Sequence, residues 1–401
     1  MRGNPDVRQG VIALHGFYFL YYGLQGVSIP FLPLWFASRG LDPALIGLIV
    51  ATSFLPKILS TPVVAHVADQ TGQAHALIAS ALAASLLLFI CYPFSAAPAW
   101  LLAVTLLLNA VFPAVLPLMD RMAIASGRGR SSYTVMRACG SMGFAAVTVA
   151  GGYLIKAFDA DWVIWLSILL IVACLACVRL LPQAARPAPG DAPVERVRLP
   201  MREVLRDRPL LLCIGAASLV QASNGFLYSY STLYWTDAGL STALISLLWV
   251  VGVASEVLFF FLAPAILARS GAQWLILASA AMTAIRWAGL SATTDPALIA
   301  ALQLLQCFTL AGNNAAIMWY IARHVPAACK TSAIALYALL SGGVFMFGSI
   351  QLGGALYRGY APGGFLAMAF CALCAIPLIM YSDRLRRRAG CPAETRPRRP
   401  K

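Results

Sequence analysis

Charge is what this chain has least of: Asp, Glu, Lys and Arg together make up only 11% of its 401 residues. A water-soluble domain carries about 25%, and so few charges cannot clothe a chain of this length. A soluble globular enzyme, a disordered chain and a nucleic-acid-binding domain are thereby excluded. The sequence also lacks H-E-x-x-H, G-x-S-x-G and Walker runs, so no zinc-protease site, hydrolase nucleophile elbow or nucleotide-binding loop is read. Among ten cysteines, Cys174-x-x-Cys177 and Cys371-x-x-Cys374 lie in apolar stretches without nearby His or acidic partners. No metal and no cofactor is therefore expected. What remains is apolar: 60% of the residues are hydrophobic, the composition of an integral membrane protein.

Stretches of about 20 residues that could cross a ~30 Å hydrocarbon core fall at 11–36, 43–66, 74–95, 98–122, 132–156, 162–181, 209–235, 241–268, 272–292, 296–322, 331–357 and 361–382. Their apolar runs are continuous and lack ten-residue alternation, which predicts helices and not barrel strands. The first stretch is too long and too aromatic for a cleavable signal peptide.

An even number of spans puts both termini on one side. With the N-terminus taken as cytoplasmic, 23 of the 29 Lys and Arg lie inside, three lie outside (Arg39, Lys156, Arg358) and three lie within spans (Lys57, Arg137, Arg286). This is a positive-inside pattern. It predicts a multi-pass protein of a bacterial-type inner membrane with both termini cytoplasmic. The basic excess is then topological and calls for no nucleic-acid partner.

One long hydrophilic stretch, 182–208, begins with a proline-rich extended linker and ends in MREVLRDR, a short amphipathic helix at 201–208. It divides the chain into six-helix bundles at 1–181 and 209–384, followed by a basic tail at 385–401. The bundles repeat each other. Gly40-Leu41-Asp42-Pro43-Ala44-Leu45-Ile46 aligns with Gly239-Leu240-Ser241-Thr242-Ala243-Leu244-Ile245 at an offset of 199, with five of seven positions identical, and Gly26 meets Gly225. Parallel six-helix repeats are one way transporters are built, with the ligand site near the midplane between the halves.

An ionisable group inside a span costs several kcal/mol unless paired or hydrated, so the few that remain are candidates for function. Asp120 and Arg137 fall at matched depth, roughly 10–13 Å to the cytoplasmic side of centre by the helical rise, where an ion pair is feasible. The pair reads either as a structural latch or as a ligand-facing group, because an Arg fork suits a carboxylate or a pair of hydroxyls. Glu256 is the sole Glu inside a span, and Arg286 lies within reach, roughly 8 Å away in depth. A carboxyl there can take a proton from one side and release it to the other, which makes Glu256 the candidate for proton coupling. Lys57 can snorkel to the interface.

Three polar stripes follow helical spacing: Tyr18, Tyr21, Tyr22 and Gln25; Gln221, Asn224 and Tyr228; and Gln303, Gln306, Asn313 and Asn314. Amides left facing lipid would be unsatisfied, so these faces turn to other helices or to a polar cavity. Tyr21, Gln25, Asp120, Arg137, Asn224, Tyr228, Gln306, Asn313 and Asn314 are taken as substrate-binding candidates.

Four segments carry a family resemblance: FYFLYYGLQGVSIPFLPLWFASRGLDPALIG (17–47), PLMDRMA (117–123), YTVMRACGSMGF (133–144), and the stretch from Glu256 to Arg286 ending IRW. In these the chain resembles the major facilitator superfamily, and within it the phenylpropionate-permease-like branch related to the lactose permease group. Arg137-Ala138-Cys139-Gly140-Ser141-Met142-Gly143-Phe144 matches that branch's Arg-x-x-Gly-Ser-x-Gly-Phe run. The resemblance implies an all-α fold of twelve transmembrane helices in two six-helix bundles, substrate contact by Asp120 and Arg137, and proton coupling by Glu256 and Arg286, with Asp120 contributing. The superfamily's G-x-x-x-D-R-x-G-R loop is reduced here to Asp69 and Gly72 as the conformational gate, since Gln70 and Gln73 replace its basic residues. Where the branch tends to carry His in the tenth span, Gln306 and Asn314 stand. Thr309 aligns with the lactose-permease-like proton-site acid, and none of the three titrates. The fifth span also lacks the Gly-Pro of drug antiporters.

Together these readings predict a non-enzymatic secondary transporter working as a monomer by alternating access. Its partners would be the bilayer, protons and a small organic solute such as an aromatic carboxylate, taken up by proton symport. A sugar or nucleoside symporter, an uncoupled facilitator and an efflux carrier are the alternatives within the class. A non-transporting membrane sensor is the alternative outside it.

Overall fold

The computed structural model describes residues 5–125, 129–181 and 201–388. No strand occurs among the described residues. Twelve helical segments lie at the twelve expected spans: α1 (Pro5–Ser38), α2 (Pro43–Thr71), α3 (Ala74–Phe94), α4 (Pro98–Ala123), α5 (Gly129–Ala157), α6 (Trp162–Val178), α7 (Arg208–Asp237), α8 (Thr242–Ser270), α9 (Ala272–Ala292), α10 (Pro296–His324), α11 (Ala327–Tyr357) and α12 (Gly363–Arg388). Among the described residues, nine of these helices are long and apolar enough to cross a membrane by that measure alone. Of the other three, α1 is diluted by its tyrosines, Gln25 and two prolines, and α6 spans only 17 residues. The proline-rich linker at 182–200 and the end of the basic tail at 389–401 lie outside the described residues.

The chain forms two compact units. One comprises Met1–Pro193 with Trp235–Val250, and the other comprises Val194–Tyr234 with Val251–Lys401. In the first unit α1 runs along both α5 and α6, α2 along α4, and α3 along α6. Glycine makes the α1–α5 crossing close, because a Cβ at Gly143 would overlap the backbone of Phe19. Such small-residue contacts let backbones pack where the surrounding lipid offers no hydrophobic drive. The Thr148 hydroxyl donates to Gly26 O across the same crossing at 2.7 Å. At the C-terminal end of α1, Asp161 accepts from Trp35 Nε1 at 2.8 Å and pairs with Arg39. The start of α8 belongs to this unit and donates from Thr242 Oγ1 to Gly152 O at 2.8 Å.

In the second unit α12 packs on α7 and α9 around Phe226, Trp287 and Phe365. The amphipathic segment expected at 201–208 is a helix only over Met201–Val204. Its Val204 is buried, and Glu203 accepts from the Cys329 thiol at 3.2 Å. Asp207 then caps α7 by accepting from Leu210 N. Three π-helical turns interrupt this unit's helices, at Leu227–Ser231, Phe308–Gly312 and Leu340–Val344. π-turns are rare and concentrate at functional sites.

The internal repeat has a structural counterpart. Gly40 and Gly239 both take positive φ, +83° and +88°. In each copy the glycine N–H reaches back three residues and the following Leu N–H reaches back five: Gly40 to Ala37 and Leu41 to Phe36, then Gly239 to Thr236 and Leu240 to Trp235. This is the Schellman closure of a helix. A second pair sits at the same offset, Gly72 (φ +65°) ending α2 and Gly271 (φ +78°) following α8. Gly72 N bonds Ala68 O and Gly271 N bonds Leu267 O, each at 3.0 Å. Gly72 is thus a left-handed helix cap; the side chain of Asp69 lies outside the described residues.

Candidate functional site

In the first unit the site is built on α1, where Tyr18 and Tyr22 are one turn apart with their rings stacked at 6.4 Å. The Tyr18 hydroxyl donates to Asp120 Oδ1, and Arg137 Nη1 donates to the Tyr22 hydroxyl. The guanidinium also lies 5.0 Å from the centroid of the Tyr22 ring. Asp120 and Arg137, whose matched depth makes an ion pair feasible, are instead linked through Tyr18 and Tyr22. Asp120 is half-buried and Arg137 is exposed. An Arg in a span is too costly to face lipid, so an exposed one faces water.

Gly140, three residues beyond Arg137, explains part of the Arg-x-x-Gly-Ser-x-Gly-Phe run. A Cβ there would lie 2.5 Å from Tyr22 Cδ2, so any larger residue would displace the ring whose hydroxyl accepts from Arg137. Tyr21 lies edge-on to Tyr22, with ring centroids 5.6 Å apart. It is buried, as Tyr18 is, and stacks on Phe112 at 4.7 Å. Gln25 stays half-buried one turn on from Tyr21 and Tyr22.

In the second unit an acid and a base are again joined through a neutral group. Gln306 Nε2 donates to Glu256 Oε1 at 2.5 Å, while Arg286 Nη2 donates to Gln306 Oε1 at 2.6 Å and to Gln303 Oε1 at 2.5 Å. Glu256 and Arg286 do not touch each other. The amide has one useful orientation here, because its oxygen must face the guanidinium and its nitrogen the carboxylate. Arg286 is fully buried, with its guanidinium 4.2 Å from the Trp287 ring centroid. Its Nε and Nη1 have no hydrogen-bond partner among the described residues, so bonds from Nη2 to two amide oxygens hold a cation in the dry interior. The sequence pattern presented Gln306 as a place where a titrating side chain is missing. The structure makes it the bridge.

The other candidates divide. Asn224 is buried and donates to Gln221 O at 3.0 Å; Asn313 is buried and donates to Ala217 O at 2.8 Å. Both tie backbone within the unit. Tyr228 is half-buried within the first π-turn. The π-turn at Phe308–Gly312 breaks the 3.6-residue register of α10, so Asn314 is exposed while Gln303, Gln306 and Asn313 point inward. The four amides expected on one face are therefore split. Thr309, in the same turn, accepts from the Thr283 hydroxyl at 3.0 Å.

The MFS_1 like family matches residues 11–368. The chain is 30% identical over 367 residues to the "Probable 3-phenylpropionic acid transporter" of Escherichia coli strain K12, covering 90% of this chain and 94% of that protein. It is 25% identical over 379 residues to the maltose permease of Geobacillus stearothermophilus, covering 93% and 95%. Among solved structures, the nucleoside transporter NupG superposes with a TM-score of 0.80 at 14% identity, covering 93% of this chain and 98% of that one. A bacterial homolog of the human lysosomal transporter Spinster superposes with a TM-score of 0.72 at 13% identity, covering 95% and 98%. These last two likenesses concern the fold.

Proposed function

The chain belongs to the MFS_1 like family, within the major facilitator superfamily, and from that premise we propose proton-coupled uptake of an aromatic carboxylate such as a phenylpropionate-like acid. The protein is a multi-pass secondary transporter for a small molecule and not an enzyme. The observation that carries the finer reading is the exposed Arg137 guanidinium standing on the Tyr22 ring, with Asp120 held by Tyr18 one turn away. A guanidinium forks onto a carboxylate, and tyrosine rings beside it suit an aromatic tail. Gln25 extends the same face. The 30% identity to a protein described as a 3-phenylpropionic acid transporter supports the substrate class.

Coupling resides in Glu256, whose bridge through Gln306 to Arg286 lets gain or loss of a proton at one carboxyl be felt by a buried cation. Transport proceeds by alternating access in the inner membrane, with both termini cytoplasmic, as the distribution of Lys and Arg supports. A sugar substrate is the second reading, favoured by the exposed amide of Asn314 and the likeness to a maltose permease.

The test is uptake of radiolabelled 3-phenylpropionate into vesicles containing the purified protein, with and without a pH gradient. Accumulation above equilibrium only with the gradient is expected. Equal uptake in both conditions contradicts coupling, and no uptake in either contradicts the substrate class.

A further inference from the structure

Gly252 stands in the middle of α8, one turn before Glu256 and on the same helix face. Glycine is the costliest ordinary residue inside a helix, so its place there calls for a reason. The reason lies across the helix: a Cβ at Gly252 would fall 2.6 Å from Gln306 Oε1, 2.8 Å from Cδ and 3.1 Å from Nε2. The bridging amide rests directly on the bare backbone of α8.

The atoms a methyl would strike are the tip of a flexible side chain and not backbone. The helix would keep its place and the amide would give way. Its position, however, is fixed by two opposite demands, with Oε1 on Arg286 at 2.6 Å and Nε2 on Glu256 at 2.5 Å. The two bonds pull on opposite ends of one planar amide, so an amide turned or pushed off α8 improves its alignment to one partner only by losing the other. We propose that Gly252 is a positioning residue for coupling: its missing side chain makes the seat that holds the Gln306 amide between Glu256 and Arg286. The inference rests on the reading that Glu256 carries the coupled proton, and extends it to a residue with no polar atom of its own to offer.

The experiment compares radiolabelled 3-phenylpropionate accumulation with a pH gradient to that without one, in vesicles, for a set of variants. Gly252→Ala lowers this ratio about fivefold or more, matching Gln306→Ala, and in a Gln306→Ala background it adds less than about twofold because nothing is left to displace. Gly215→Ala, at a helical glycine of α7 with open space around its Cβ position, stays at the wild-type ratio. A wild-type ratio for Gly252→Ala, or a loss that adds fully to that of Gln306→Ala, overturns the proposal. If Gly252→Ala fails to reach the membrane, recovery in the double variant supports the contact, and no recovery overturns it. Glu256→Gln, measured alongside, separates the two levels. If it abolishes accumulation while Gly252→Ala does not, the seat is refuted and the coupling reading stands; if it leaves accumulation intact, the coupling reading itself falls.

Discussion

Replacing Gln306 with leucine keeps nearly the same volume and opens no cavity, so its cost isolates the bridge. The variant loses two hydrogen bonds to charged partners, one from Arg286 and one to Glu256. Bonds to charged groups contribute about 1.5–3 kcal/mol each. Gln306 is 2% exposed and Arg286 0%, so solvent does not replace the bond between them. Of its two hydrogen-bond acceptors Arg286 would keep only Gln303. Stranding a buried charge in this way costs about 3–5 kcal/mol, which corresponds to a fall in melting temperature of order 10 °C. Glu256→Gln is the informative contrast, because a glutamine oxygen still accepts from Gln306 and only the charge is lost, at about 1 kcal/mol. Thermal unfolding of the purified protein, followed by tryptophan fluorescence, reads both. A Gln306→Leu protein that melts within a degree or two of the wild type would refute the claim that this amide holds the pair.

Arg137→Ala should abolish 3-phenylpropionate binding, measured by calorimetry or equilibrium dialysis, far more than Lys57→Ala; equal and mild effects would count against a substrate role for Arg137. Tyr22→Phe keeps the ring under the guanidinium but removes the hydroxyl that accepts from it, and should weaken binding roughly three- to tenfold. Gly143→Ala, where the Cβ meets the backbone of Phe19, should destabilise the fold by about 2–3 kcal/mol. Gly40→Ala and Gly239→Ala have open space but positive φ, and should each cost about 1 kcal/mol, alike in the two repeats; thermal melts distinguish the cases.

Hydropathy made the spans legible because lipid imposes a length and an apolarity that no local context overrides. The turns at Gly40 and Gly239 were legible too, since identical neighbours flag them. The pair Gly72 and Gly271 shares the same offset but, apart from the glycine itself, no identity from Val67 against Ile266 through Thr71 against Ser270. Only the left-handed φ reveals that kinship. Telling apart Tyr18, Tyr21 and Tyr22 requires knowing where Phe112 and Asp120 lie, because all three share a broad helix face and only neighbours on other helices separate the ring stacked on Phe112 from the hydroxyl that reaches Asp120. The π-turns have no periodicity signature, so the split between Asn313 and Asn314 could not be foreseen. Gln306 does not titrate and so does not read as a coupling residue, yet an amide can donate and accept at once, and that capacity suits a bridge between a carboxylate and a guanidinium.

The central claim is that a carboxyl at position 256 binds the proton that accompanies the solute. The direct measurement is solute-induced proton movement: 3-phenylpropionate added to de-energised vesicles containing the protein, with external pH recorded. The wild type should alkalinise the medium as solute enters, and Glu256→Gln should exchange labelled solute without moving protons. Proton movement that persists undiminished in Glu256→Gln would contradict the account.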